Sequence, residues 1–118
     1  MPLITEDTLA VSLAERECSR LRYVCQWKRW IICGKDGQWR LDEKQSAFQL
    51  ARLLCREASA SAHAAGDDDG ARALASYRTV AAVEMLARSD PRLAIAVHDV
   101  PAEIMNPKTG RRGPHAGG

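Results

Sequence analysis

Between residues 47 and 58 the apolar side chains fall on one line. Ala47, Leu50, Ala51, Leu54, Cys55 and Ala58 stand at i, i+3, i+4, i+7, i+8 and i+11, a spacing that puts all six on one face of a helix and demands a core for that face to lie against. Asp42-Glu43-Lys44-Gln45 ahead of it has the form of a capping box, with Asp42 as cap and Gln45 three residues on. A weaker stripe of Ala10, Leu13, Ala14, Cys18 and Leu21 follows Thr5-Glu6-Asp7-Thr8. There Thr5 is the expected cap, and the two carboxylates complement the helix dipole.

Composition agrees with helices. The chain has 118 residues, the length of one modest domain, and is 46% hydrophobic but only 5% aromatic. Alanine-rich, aromatic-poor chains favour helices over sandwiches. A net charge of +2, from 17 basic and 15 acidic residues, excludes a polybasic nucleic-acid binder of the histone kind. No apolar run is long enough for a membrane helix. The N-terminus turns acidic at once and lacks the parts of a signal peptide, so the expected location is cytoplasmic.

Between the two helices the character changes. Tyr23-Val24, Trp30-Ile31-Ile32-Cys33 and Trp39-Arg40-Leu41 are β-prone around the turn Gly34-Lys35-Asp36-Gly37, predicting one β-hairpin over about 22–41. Beyond residue 58 the helical pattern fades into 59–65, and Gly66-Asp67-Asp68-Asp69-Gly70 reads as a solvated loop. One further helix is predicted over about 71–88, with Val80, Val83, Leu86 and Ala87 inside and a Glu84–Arg88 pair outside. Ser89-Asp90-Pro91 then starts a short helix, with Asp90 as cap and Pro91 at its first position. The fold class is therefore mostly α, three to four helices with one hairpin between the first and second. The accessory domain spans 1–100, and 101–118 is read as a disordered basic tail.

No constellation for catalysis is present. A phosphate loop is missing: Lys108-Thr109 lacks the glycines whose amides would cradle phosphate. Cys18, Cys25, Cys33 and Cys55 include no closely spaced pair of the kind zinc sites use, and read as buried free thiols. His63, His98 and His115 lie far apart in expected loops, and Asp67-Asp68-Asp69 reads as a solvated tip. No cofactor and no metal ligand is assigned. The richest stretch holds all three tryptophans and the cations Lys28, Arg29, Lys35 and Arg40 against one acid, Asp36. Aromatic faces with cations suit weak, sequence-tolerant contact with single-stranded DNA, and the candidate residues are Trp27, Lys28, Arg29, Lys35 and Arg40. In the competing reading Trp30 and Trp39 face each other across the hairpin and anchor it on the helices. Trp27, at its entry, is then the exposed one.

Two blocks carry a resemblance. Leu21-Arg22-Tyr23-Val24, Trp30-Ile31-Ile32, a glycine turn, Trp39-Arg40-Leu41-Asp42 and the run Ala47 to Ala58 form the first; Arg78 to Ala94 forms the second. In that order they resemble the region preceding the superfamily 3 helicase module of phage and plasmid primase–helicases, over residues 5–98. Cys33 stands where that family usually has an aromatic, and the family's hairpin turn is shorter. The resemblance implies a setting in phage, prophage or plasmid DNA replication, with a helicase or primase subunit as partner. It carries over no catalytic residue, because the matching positions are not catalytic and the ATPase motifs are absent. The function expected is that of a non-catalytic accessory or linker domain, a split subunit or a truncated remnant. The alternative is a small phage-borne DNA-binding regulator, for which 71–93 is the only candidate helix–turn–helix.

Overall fold

The computed structural model describes residues 4–105. Helix α1 (Glu6–Glu17) begins as its sequence requires. The Thr5 hydroxyl accepts from the Thr8 amide at 3.1 Å, and the Thr8 hydroxyl accepts from the Thr5 amide at 2.9 Å. Two of the amides that a helix start leaves without partners are thereby satisfied. Leu9, Ala10, Leu13 and Ala14 are buried.

The single hairpin expected next is replaced by a sheet of four strands. Strands β1 (Leu21–Val24), β2 (Arg29–Cys33) and β3 (Trp39–Leu41) form an antiparallel meander, and β4 (Ala94–Ile95) adds to β1 in parallel, giving the order β3-β2-β1-β4. The register sets Leu21 opposite Ile32 and Tyr23 opposite Trp30. With side chains alternating along each strand, these four share the face that meets the helices. Val24 and Ile31 lie in a second, smaller cluster with Trp27, Trp39 and Val100. Trp30 and Trp39 therefore do not face each other: Trp30 opposes Tyr23, and Trp39 opposes Cys33.

Helix α2 (Ser46–Ala64) buries Ala47, Ala51, Leu54 and Cys55 as its stripe requires, and half-buries Leu50 and Ala58. Its start differs from a capping box. Gln45 occupies the cap position in a left-handed conformation (φ 57°), a turn that folds Asp42 back over the helix. The Asp42 carboxylate there accepts from the amides of Ser46 at 2.8 Å and Ala47 at 2.9 Å. The helix also runs on through 59–64, where the Ser59 hydroxyl donates to the Ala71 carbonyl at 2.6 Å.

The region from 66 to 95 departs most from expectation. Helix α3 (Asp68–Leu74) starts inside the acidic loop, with the Asp67 carboxylate accepting from the Gly70 amide. It stops before α4 (Tyr77–Ala87), so the one helix expected over 71–88 is two. The break is chemical. The Ser76 hydroxyl caps the amide of Thr79, and the Thr79 hydroxyl donates to the Ala73 carbonyl at 2.7 Å, so local side chains take over backbone groups that a continuous helix would pair. Asp90 starts no helix either. It accepts from the Arg92 amide and guanidinium and closes a turn, after which the Tyr23 amide donates to the Leu93 carbonyl at 2.7 Å and β4 begins. A short helix α5 (Ala102–Met105) follows within the segment assigned to the tail, with the Glu103 carboxylate accepting from the Trp39 amide. The rest of that segment, 106–118, lies outside the described residues.

The helices cover one face of the sheet: α4 packs against both α1 and α2, and α3 against α2. Leu13, Leu21, Val83 and Leu93 fill the space between, each at most 1% exposed. The segment 97–105 covers the other face with Val100 and Ile104. Among the described residues, no helix is long and apolar enough to cross a membrane.

Candidate nucleic-acid interface

The five residues singled out by sequence do not form one surface. Trp27 is half-buried in the small outer cluster, packed with Val24 and Ile31, rather than standing free. Arg29 opens β2 opposite Val24 and, with Lys28, borders a depression beside α2 and α4. Lys35 lies beyond the far end of β2, seven residues from Lys28 and roughly 20 Å away at a strand's rise. Arg40 is already engaged: its guanidinium meets the Asp36 carboxylate at 2.5 Å. That guanidinium holds the Asp36 carboxyl down to about 2. A groove made of all five does not exist.

Lys28, with Arg29 beside it, is the exception. It ends the tight β1–β2 turn in a left-handed conformation (φ 54°), where the Lys28 amide donates to the Cys25 carbonyl. There it lines a depression of about 420 Å³ shared with α2 and α4. Phe48, Tyr77 and Met85 form much of the wall, and Tyr77 and Met85 are 76% and 60% exposed.

The floor of the depression is polar and closed. Glu84, expected outside, is only 6% exposed. Its Oε2 accepts from the Trp30 indole at 2.5 Å and from Arg88 Nε at 2.8 Å, and its Oε1 accepts from Arg88 Nη2 at 2.9 Å. Arg88 also stands 5.3 Å from the centre of the Tyr23 ring, and Tyr23 meets Trp30 edge to face at 5.1 Å. A buried carboxylate is tolerated because a guanidinium and an indole neutralise and satisfy it. With both oxygens so occupied, Glu84 is a structural clasp between sheet and helix α4, not an acid or base waiting for substrate. Sequence could not show this, since Trp30 is 54 residues away.

The other candidate chemistry is dispersed. Among the described residues, no group of three His, Cys, Asp or Glu side chains is placed to hold a metal ion. The thiols are free, but only Cys55 is buried, and burial pushes its thiol up; Cys25 is exposed, against the expectation of four buried thiols. His63 pairs with Asp68 at 2.8 Å on the surface. The helix–turn–helix expected with its corner at 89–91 does not form there, because 91–93 form a turn that leads into a strand; the two helices that meet at a short turn in this region are α3 and α4.

No family model, curated protein or solved structure matches the chain.

Proposed function

We propose that the chain is a non-catalytic accessory domain in DNA replication of the phage and plasmid primase–helicase type. Catalysis then belongs to a partner helicase or primase subunit, and this chain contributes a contact surface that touches single-stranded DNA weakly. The sequence resemblance over residues 5–98 supplies the setting. The observation that carries the reading is the depression beside Lys28, where an exposed tyrosine and methionine stand next to an exposed cation over a carboxylate already clasped by Arg88 and Trp30. Such a surface can stack and neutralise, but offers no group poised for proton transfer.

The test has two arms. In the first, purified protein is assayed for ATP turnover with and without a single strand, and none is expected. Turnover that follows the protein through purification overturns the reading. In the second, fluorescence anisotropy at 50 mM salt with a labelled mixed-sequence single strand is expected to show weak binding that Lys28→Ala reduces. Strict preference for one duplex sequence would instead favour a regulator.

A further inference from the structure

The depression at Lys28 does not end at Tyr77. Phe48 and Tyr77, ring centres 6.0 Å apart, also line a second hollow of about 330 Å³ with Arg52 and Arg56. Arg56 and Ala75 in turn belong to a third, of about 590 Å³, that reaches His63 and Arg72. The three share lining residues, so they form one furrow along α2, bounded on its other side by α3 and α4. Phe48, Arg52 and Arg56 follow one another at i, i+4 and i+8, one helical turn apart on the flank of the apolar stripe.

Charge along the furrow is one-sided. Its carboxylates are engaged: Asp42 caps α2, Glu84 is held by Arg88, and Asp68 pairs with His63. Arg72 is likewise tied to Asp69. Lys28, Arg52 and Arg56, like Arg29 beside Lys28, have no carboxylate partner among the described residues, and all four are exposed. Between Lys28 at one end and the two arginines at the other lies the Phe48–Tyr77 pair, with Tyr77 open to solvent.

We infer that this furrow is the track of a single-stranded nucleic acid, with phosphates on Lys28, Arg52 and Arg56 and a base stacked on Tyr77. The inference rests on the accessory reading above and moves its contact surface off the hairpin and onto helix α2. Unpaired cations in a row attract a polyanion, and an exposed aromatic among them selects an unpaired base, because a base inside a duplex hides its face. Arginine is suited to the phosphate contacts, since its planar guanidinium forks onto phosphate.

The experiment compares full-length variants by anisotropy at 50 mM salt with a labelled mixed-sequence single strand. Arg52→Ala with Arg56→Ala is expected to weaken binding by about tenfold or more, and Tyr77→Ala by about five- to a hundredfold. Tyr77→Phe keeps most of the affinity, whereas Lys35→Ala with Arg40→Ala stays near wild type. All these side chains are exposed, and circular dichroism confirms that the variants fold. If the arginine pair binds like wild type while Lys28→Ala is weakened, the furrow is overturned and the accessory reading survives. Displacement of the strand by duplex DNA or polyglutamate as effectively as by unlabelled single strand also overturns it. Absence of any binding by wild type at 50 mM salt overturns the furrow, and the ATP measurement then judges the accessory reading alone.

Discussion

The β2–β3 turn and the furrow along α2 carry cations of the same kind in different circumstances. At the turn, Arg40 reaches back four residues to Asp36 and closes a bidentate pair on a hairpin tip. Along α2, Arg52 and Arg56 project from a 19-residue helix and pair with no carboxylate among the described residues. The two regions also differ in aromatic company. Trp39 packs under Ile104 and the segment 97–105, and Arg22 lies over its ring at 5.7 Å, so its face is spoken for. Tyr77 stands three-quarters exposed at the first turn of α4. A count of aromatics and cations therefore favours the turn, while their availability favours the helix.

The largest effect expected comes from undermining the furrow's floor. Glu84→Ala strands the Trp30 indole and the half-buried Arg88 guanidinium, at a cost of about 2–3 kcal/mol, read as a lower urea midpoint with unchanged slope. A variant as stable as wild type would show that the clasp does not tie α4 to the sheet. Trp30→Phe keeps a ring against Tyr23 but loses the indole hydrogen bond and part of the buried ring, so about 1–2 kcal/mol is expected. A loss equal to that of Glu84→Ala would mean that ring packing, not the carboxylate, dominates the floor.

The smallest effect is expected at the β2–β3 turn. Asp36 titrates near 2 because Arg40 holds its charged form, and Arg40→Ala should return it toward the ordinary 3.8. A carboxyl lowered in the folded state stabilises the fold above its ordinary value and loses that contribution as pH falls toward 2. Both side chains are more than half exposed, so this appears as a shifted side-chain carboxyl resonance by NMR rather than as a change in thermal midpoint. An unchanged titration would mean that Arg40 is free after all, which would restore the turn as a candidate surface.

What sequence made legible was what neighbours in the chain decide. The stripe from Ala47 to Ala58 gave α2 its inner face, and Thr5 gave α1 its start, because capping and helical spacing act within a few residues. The strand β4 was not legible: two residues pair in parallel with a partner some seventy positions earlier, and no local pattern marks them. The break at Ser76 was hidden by alanines on both sides, which favour continuing a helix, while the hydroxyls that stop it look like ordinary surface residues. The candidate site was least legible of all. Arg52 and Arg56 sit in plain view beside the core stripe, but only the approach of α3 and α4 makes that flank a furrow. Their i, i+4 spacing after Phe48 was the one signal available.

Salt dependence decides between the furrow and the turn. Three phosphate contacts, at Lys28, Arg52 and Arg56, predict that single-strand affinity falls with a slope of about 2.1 on logarithmic axes, or roughly eighteenfold between 50 and 200 mM salt. Removing Arg52 and Arg56 together should cut the slope to about 0.7, while removing Lys35 and Arg40 should leave it at about 2.1. The opposite pattern, a slope that survives loss of the two arginines and drops with Lys35 and Arg40, would contradict the account and return the contact surface to the hairpin.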